Sequence, residues 1–496
     1  MKNILHLSEG NLIPSDFSDV GQANLYAGIF GDRLRYTPAT DWLVFDSTCW
    51  RENRLDAQAM AQALTEEQVK QAQSMRRCAL DAVMAAQERN DDAGIKSAKT
   101  DEAKADAFYR YALNRRKSAA ISATLTEARP SLQVQPDQLD RDPFLLNTPA
   151  GTVDQRTGAL KAHDPADFCT KITGTSPSSE GADLFASFLE TITVGDTELE
   201  AYLQAVAGMF ALGAVFNECL TIAYGSGRNG KSTFFNLLGR VLGYYSGALS
   251  AETLTVNCRQ NKSPEFAELR GKRFVIAAEL EEGLRLDTAV VKKLCSTDKV
   301  FATKKYRDPM QFTPSHSILL FTNHLPKVGT SDAGTWRRLV VIPFRASITD
   351  AGDRKDFGSY LFHQAGGAVL SWVIEGARRF IEAGYRLDQP KCVRDAIAEY
   401  RSDNDWLQAF IAECCDTSPE YIQPSGALYM HYLHFCEDSH EFRRNQADFR
   451  RALEDAGYAC KHTKRGKMFL GLRARPLGVS SATETAHPAR FPALPA

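Results

Sequence analysis

Apolar residues follow two different spacings along this chain of 496 residues. Between Leu55 and about Leu125, Ala, Gln, Glu, Lys and Arg dominate while Gly and Pro are scarce, which predicts helices. Leu184 to Met209 is also helical by its spacing. Four later apolar runs have the length of buried strands: Leu220–Tyr224, Arg273–Ala278, Ser317–Thr322 and Leu339–Ile342. Because these runs alternate with helix-prone segments, we predict an α/β core with a mainly parallel sheet.

Weaker patterns flank this core. Short strands are predicted at Trp42–Phe45, Leu145–Asn147 and Gly151–Val153, and Thr175–Gly181 has the Ser, Gly and Pro content of a linker. Phe357–Arg401 is predicted to be helical with an interruption at Pro390, and Ala459–Lys461 with Met468–Leu472 is predicted to form a terminal hairpin. We therefore predict five segments: a mixed α/β domain (1–181), the α/β core (182–350), a helical connector (351–401), a carboxyl-terminal domain (402–475) and a disordered tail (476–496).

Composition narrows the class of protein. The chain is too long for one core, and its 44% apolar and 24% charged residues are typical of soluble globular domains. The most apolar stretch, Ala205–Phe216, is too short to cross a bilayer, and the amino terminus does not resemble a signal peptide, so we expect a cytoplasmic protein with no membrane partner. Eleven scattered cysteines without a C-x-x-C pair indicate reduced thiols. A net charge of −2 means that any nucleic-acid partner must be held by local basic surface.

A phosphate-binding loop follows the first predicted core strand and precedes a helix-prone run. Its glycines allow backbone N–H groups and the helix N-terminus to converge on a β-phosphate, Lys231 would reach the β and γ oxygens, and the Ser232 hydroxyl would hold Mg²⁺. The sequence thus predicts a site for ATP and Mg²⁺. The predicted nucleotide-binding residues are Gly225, Ser226, Gly227, Arg228, Asn229, Gly230, Lys231, Ser232 and Thr233.

Hydrolysis also requires a carboxylate and a polar group that senses the γ-phosphate. Glu279 ends the strand Phe274–Ala278 and is our first candidate for the metal-binding and catalytic carboxylate, although Glu281 or Glu282 could share the role. Asn323 ends the next apolar strand, where it could orient the attacking water. Asparagine also ends strands because it favours turns, so this residue alone is weak evidence.

Cationic residues supply two further candidates. Arg337 and Arg338 precede the last core strand, and either could reach the γ-phosphate of a neighbouring subunit. A basic segment containing Lys304, Lys305, Tyr306 and Arg307 has the composition of a loop that grips a phosphate backbone and packs Tyr306 against sugar or base. From composition alone, a solvated hairpin tip explains the segment equally well.

The carboxyl end is locally basic. From His440 to Arg475 ten Lys and Arg face four Asp and Glu, and a helix over Phe442–Ala456 is followed by a hairpin, which is the outline of a winged helix. The alternative is a basic solvated face. The candidate DNA contacts here are Arg450, Lys464 and Arg465. The nearby Cys and His residues lack the paired spacing of common zinc modules and lie in a segment with the pattern of a packed helix, so we predict no zinc site.

The order of these motifs resembles superfamily 3 helicases, in particular the phage and plasmid primase-helicases related to the satellite-phage alpha protein and the poxvirus replicative NTPase. Gly225–Ser232 is similar to the family's first motif, Phe274–Glu279 to its second and Leu319–Asn323 to its third. Lys292–Lys305 resembles its DNA-hairpin motif, and Trp336-Arg337-Arg338 resembles its arginine finger. Residues such as Trp50, Asn147 and Gly151–Asp154 look like the domain that precedes the ATPase in this family, and the family carries a similar terminal winged helix.

The resemblance implies an AAA+-like core, a hexameric ring with ATP sites between subunits, and 3′ to 5′ translocation on single-stranded DNA during replication of a phage, plasmid or integrated mobile element. A separate primase or replication initiator is a further implied partner. The helicase-associated region begins almost at Met1, and Asp140-Arg141-Asp142 is a lone D-x-D, so we do not expect priming activity. Two other functions remain open: an ATP-controlled origin-binding or loading protein without unwinding activity, and a small-molecule kinase, which would leave Asn323 and the Arg pair unexplained.

Overall fold

Helices of 12 to 35 residues and two small antiparallel sheets form the amino-terminal region of the computed structural model. The structure describes residues 10–256, 258, 263–303, 310–329, 332–348, 356–439, 442–464 and 466–476. The amino-terminal elements are α1 (Asp19–Phe30), β1 (Leu34–Thr37), β2 (Asp41–Phe45), β3 (Trp50–Glu52), α2 (Arg54–Glu88), α3 (Asp92–Arg115), α4 (Ser118–Leu132), β4 (Leu145–Thr148), β5 (Gly151–Asp154) and β6 (Ala159–Lys161).

The helix-rich composition after Leu55 produces three helices, α2, α3 and α4. Ser18, Asn53 and Asp91 each accept a backbone N–H at the first turn of α1, α2 and α3, which satisfies part of the unpaired helix end. The two sheets have the strand orders β1-β2-β3 and β4-β5-β6. The predicted helical block and the predicted strands at Trp42, Leu145 and Gly151 are therefore confirmed.

The next region of the chain is built around a five-stranded sheet. Its elements are α5 (Ala182–Thr193), α6 (Thr197–Ala211), β7 (Leu220–Tyr224), α7 (Lys231–Leu242), β8 (Ser246–Ser250), α8 (Ser263–Glu268), β9 (Phe274–Ala278), α9 (Thr288–Leu294), β10 (Val300–Ala302), β11 (Met310–Phe312), β12 (Ser317–Thr322), α10 (Ala333–Trp336), β13 (Leu339–Pro343), α11 (Phe357–Glu382) and α12 (Lys391–Asp403).

The sheet order is β13-β7-β12-β9-β8, and every pair is parallel. Strand β12 is buried along its whole length, as its uninterrupted apolar run requires. Helix α11 packs against α5, α6 and α7. The predicted parallel sheet is confirmed, and β8 is an additional edge strand that the sequence pattern did not indicate.

The carboxyl-terminal elements are α13 (Trp406–Cys414), β14 (Cys415–Pro424), α14 (Ser425–Asp438), α15 (Gln446–Asp455), β15 (Cys460–Thr463) and β16 (Gly466–Ala474). Strands pair in the order β14-β16-β15, so the predicted hairpin is present and a third strand joins it. Phe410, Tyr432, Phe449 and Phe469 are fully buried in the core of this region. The segment that contains His431 and His434 is the packed helix α14, as predicted.

Two compact units divide the chain: Met1–Pro326 with Arg337–Ala396, and Lys327–Trp336 with Ile397–Ala496. We call the second the carboxyl-terminal unit. The five-segment division inferred from sequence remains a prediction, and its tail, apart from Pro476, lies outside the described residues. Over the described ranges, no helix combines the length and the apolar character needed for a membrane span.

Candidate functional site

The loop that the sequence predicts to bind phosphate joins β7 to α7. Strand β7 ends at Tyr224 and α7 begins at Lys231, so the loop leaves the carboxyl edge of the sheet and enters a helix N-terminus. Gly230 has a positive φ of 77°, and a Cβ atom there would collide with the Ile192 side chain. This position therefore requires glycine both for its backbone conformation and for its close packing.

Contacts from the chain after β13 hold the loop in place. The Asn229 side chain is buried and donates from Nδ2 to the Phe344 carbonyl at 3.3 Å, and the Arg228 carbonyl accepts a hydrogen bond from the Ile348 N–H at 2.7 Å. The segment Phe344–Ile348 was not identified from the sequence, because it contributes backbone atoms rather than a recognisable motif.

Lys231 lies at the centre of the candidate site. Its side chain is buried, and Nζ donates to Asn323 Oδ1 at 2.7 Å and to the Gly225 carbonyl at 3.1 Å. Burial lowers the pKa of Lys231, while the negative charge of Glu279 acts in the opposite direction. The structure thus brings together two predicted catalytic residues that are far apart in the sequence.

Glu279 and Asn323 occupy this edge because β9 and β12 are parallel neighbours of the sheet that also contains β7. The Glu279 N–H donates to the Phe321 carbonyl at 3.0 Å, and Glu279 has a φ of 55°, an uncommon conformation for a residue with a side chain. Glu279, Glu281, Glu282 and Asn323 are all exposed. Within the described residues, Glu279 is the one of the three carboxylates that is linked electrostatically to Lys231.

The donor set fits Mg²⁺ and a triphosphate. Ser232 and Thr233 lie on the first turn of α7, with Ser232 exposed, and Ser226 is exposed in the loop itself. A hydroxyl and the Glu279 carboxylate are oxygen ligands of the kind that Mg²⁺ prefers, and the positive end of α7 favours phosphate.

A groove of about 790 Å³ extends from Glu279 along α7 and β8. Small residues of β8, including Gly247 and Ala248, form part of its wall. The sequence pattern does not indicate this groove, because β8 has only two clearly apolar residues among its five and lacks the pattern of a strand.

The two arginines lie at the opposite, amino edge of the sheet, directly before β13. The Arg338 guanidinium is 2.5 Å from Glu218 Oε2, and its side chain is only 14% exposed. Arg337, in contrast, is exposed. The structure therefore does not bring the arginine pair to the edge that carries Lys231 in the same chain.

The predicted DNA-binding loop at Lys304, Lys305, Tyr306 and Arg307 lies outside the described residues. On either side of it, β10 and β11 pair in antiparallel fashion with Val300 opposite Phe312. This pairing is consistent with the expected hairpin.

The basic carboxyl-terminal region divides into two kinds of residue. Lys464 is exposed, and Arg465 lies outside the described residues. Arg450, in contrast, has its Nε 3.8 Å from Glu454 Oε1, Arg444 stacks over Trp406 at 4.1 Å, and both Arg473 and Arg475 form ion pairs with Asp416. Several cations counted in the sequence are therefore engaged within the protein.

The lone D-x-D also has a structural role. Asp140 accepts hydrogen bonds from the N–H and the hydroxyl of Thr170, and Asp142 accepts the Phe144 N–H and pairs with Arg156. Both carboxylates thus stabilise local turns.

Two family models match this chain. Residues 23–194 match the family described as D5 N terminal like, and residues 223–338 match a family of unknown function, DUF5906. The second match begins at the end of β7 and includes Lys231, Glu279, Asn323 and both arginines.

Viral proteins are among the relatives. "Putative helicase L207/L206" of Acanthamoeba polyphaga mimivirus is 27% identical over 298 residues, which cover 55% of this chain and 31% of that protein. "Putative helicase 022R" of Frog virus 3 is 24% identical over 213 residues, covering 40% and 22%. "Putative primase C962R" of African swine fever virus (isolate Tick/Malawi/Lil 20-1/1983) is 27% identical over 219 residues, again covering 40% and 22%.

The chain thus spans less than a third of the length of these relatives. Together with the two family matches, they support a relationship to D5-like primase-helicases. A solved apo structure of the NrS-1 C-terminal region aligns with a TM-score of 0.40 at 11% identity, covering 60% of this chain and 77% of that one. A score at this level does not establish a common fold.

Proposed function

We propose that this chain is an ATP-dependent DNA helicase of superfamily 3, with an AAA+-like core and a winged-helix carboxyl-terminal domain. The observation that carries the proposal is the hydrogen bond between Lys231 and Asn323 at the carboxyl edge of the sheet. The negative charge of Glu279 favours the protonated form of the same lysine. A γ-phosphate would compete with Asn323 for the Lys231 ammonium. Nucleotide binding would thereby release the Asn323 amide to orient water.

In this proposal ATP and Mg²⁺ bind at the loop Gly225–Ser232. Bound Mg²⁺ would neutralise phosphate charge, with Ser232 and Glu279 as its candidate protein ligands. Lys231 would contact the β and γ oxygens, and Glu279 would polarise the attacking water. All of these groups belong to one protomer.

The remaining cation would come from a neighbour. Arg337 is exposed at the amino edge, so it can serve a phosphate only on another protomer, as in a ring whose subunits face each other with different surfaces. Such a ring, expected to be a hexamer, would move 3′ to 5′ along one strand by means of the loop that contains Lys304–Arg307.

A strand-displacement assay tests the proposal. Wild-type protein should separate a duplex with a single-stranded tail when ATP is present, whereas Lys231→Ala should lose hydrolysis by at least about 100-fold because a central electrostatic group is missing. Lys305→Ala should lose both unwinding and the stimulation of hydrolysis by single-stranded DNA. Lys391→Ala, an exposed lysine paired with Asp395, is the matched control and should behave as wild type.

Two results would argue against the helicase. ATP-dependent duplex binding without strand separation would favour the origin-binding or loading protein. Phosphate transfer to a small acceptor without any response to DNA would favour a kinase.

A further inference from the structure

The connection between β12 and β13 crosses the sheet from one edge to the other. Both strands run parallel to β7, so the chain must travel from the carboxyl edge, where Asn323 lies, to the amino edge, where Arg337 lies. The middle of this connection, Lys327–Trp336, belongs to the carboxyl-terminal unit rather than to the unit that contains the sheet. We call Lys327–Trp336 the crossover segment.

Hydrogen bonds within the carboxyl-terminal unit hold the start of the crossover segment. The Val328 N–H donates to Asn404 Oδ1 at 2.7 Å, and Val328 is buried. Asn404 is itself fixed, because its Nδ2 donates to the Tyr400 carbonyl at 2.8 Å. The Gly329 carbonyl accepts a hydrogen bond from Arg444 Nη2 at 3.3 Å.

The end of the crossover segment is held by aromatic packing. The Trp336 ring meets the Tyr400 ring edge to face at 5.4 Å, and both side chains are buried. Tyr400 therefore links the anchor at Trp336 to the anchor at Asn404. Residues around the end of α12 therefore contact both the start and the end of the crossover segment.

Short covalent tethers join these anchors to the candidate catalytic residues. Four residue steps separate Asn323 from Lys327, a reach of at most about 14 Å, and Trp336 is bonded directly to Arg337. A displacement of Trp336 is thus carried directly into Arg337, the arginine proposed for the next site, and the short tether limits how far Lys327 can move away from Asn323, the proposed γ-phosphate sensor.

We propose that Asn404 is a positioning residue through which the carboxyl-terminal unit sets the rate of ATP turnover. This inference rests on the proposed function. Asn404 holds Val328, which lies close to Asn323 in the sequence, and it bonds to Tyr400, which packs against Trp336 next to Arg337. The loop Gly225–Ser232 lies outside the segment, so the effect falls on kcat and leaves the KM for ATP nearly unchanged.

The test compares steady-state ATP hydrolysis by full-length variants. Asn404→Ala removes the hydrogen bond accepted from the Val328 N–H and should lower kcat about tenfold, which corresponds to the free energy of one hydrogen bond. The KM for ATP should stay within about twofold of the wild-type value. Asn404→Asp keeps the acceptor for the Val328 N–H but loses the donor to the Tyr400 carbonyl, so it should recover only part of the rate. Asn445→Ala is the matched control. Asn445 lies in the same unit and accepts a hydrogen bond from the Asp448 N–H at 2.9 Å, a bond that does not involve the crossover segment. The kcat of this variant should match that of wild type.

Several outcomes would overturn the inference. A kcat for Asn404→Ala equal to wild type would do so, and so would an equal fall in Asn445→Ala, which would indicate general destabilisation. If Asn404→Ala fails to fold, Arg444→Gln removes the anchor at Gly329, and an unchanged kcat in that folded variant would also overturn it. Absence of hydrolysis by wild-type protein would instead overturn the proposed function, and the inference with it.

Discussion

The two edges of the parallel sheet hold their charged residues in opposite ways. At the carboxyl edge, Lys231 is bonded to Asn323 while the carboxylate of Glu279 remains exposed. At the amino edge, Arg273 is buried and donates to the carbonyls of Ala211 and Leu145, and Arg338 pairs with Glu218. Arg337 is the exposed member of the arginine pair there. One edge thus presents an exposed carboxylate beside a buried lysine, and the charged groups of the other edge are mostly engaged in internal contacts.

This difference separates residue types that the sequence groups together. Both arginines follow Trp336, yet the structure gives one an internal partner and leaves the other exposed. A complete site under our proposal combines the carboxyl edge of one protomer with Arg337 of another. Substitutions at the two edges should therefore have different effects, and equal effects would remove the distinction between them.

The largest effect is expected from Arg337. Arg337→Ala should lower kcat by about 10³ to 10⁵, the range for removal of an arginine that neutralises the transferring phosphate. Arg338→Ala should act mainly on stability, because it removes the partner of Glu218. We expect it to lower the midpoint of thermal unfolding and to leave the kcat of the folded protein close to that of wild type. Equal rate losses in the two variants would remove the distinction within this edge.

A smaller effect should distinguish the carboxylates at the other edge. Glu279→Gln should lower kcat by about 100-fold, since Glu279 follows β9 directly and interacts with Lys231. Glu281→Gln is the same substitution made two residues later in the chain, and it should change kcat by less than about threefold. Steady-state hydrolysis decides between them, and a larger loss in Glu281→Gln would assign the catalytic role to that residue.

A buried histidine at the amino edge should make the free energy of unfolding depend on pH. His316 precedes β12 and is buried, and burial lowers its pKa from 6.5 to about 4, with a weaker opposing effect of the Leu294 backbone. Because the folded pKa is depressed, the stabilising contribution is fully present above pH 6.5 and is lost as the pH falls towards 4, by at most about 3 kcal/mol.

His316→Gln removes this titration, so its free energy of unfolding should depend less on pH between 6.5 and 4 than that of wild type. The exposed His363 provides the control substitution, His363→Gln. Parallel pH curves for wild type and His316→Gln would show that His316 is not held neutral by the fold.

The smallest effect concerns DNA binding outside both edges. Lys464→Ala should make the slope of log K against log salt shallower by about 1, because the removed cation leaves about one phosphate without a neutralising partner. Arg473→Ala, whose guanidinium is 3.5 Å from Asp416 and stacks on Tyr421, should leave the slope unchanged. Duplex binding measured over a range of salt concentrations provides both slopes.

Local patterns were sufficient for much of the fold. The apolar runs of β7, β9, β12 and β13, and the position of a glycine-rich loop between β7 and α7, depend on neighbouring residues, so the sequence predicted them correctly. The edge strands β8 and β14 contain small, polar or charged residues and are strands because a partner strand pairs with them, which a single-sequence pattern does not reveal.

The site shows the same limit. Sequence order suggested roles for Lys231 and Asn323, but the hydrogen bond between them joins positions 92 residues apart. The choice between Arg337 and Arg338 depends on Glu218, which is 120 residues from Arg338. Contacts of this separation follow from strand order and register rather than from local spacing.

Mixing two inactive variants tests the central claim most directly. Lys231→Ala retains Arg337, and Arg337→Ala retains the phosphate-binding loop, so a mixed assembly contains some sites built from two intact halves. With equal amounts and random assembly, hydrolysis should return to about a quarter of the wild-type rate. A mixture that stays as inactive as its two components would contradict an ATP site shared between opposite sheet edges of two protomers.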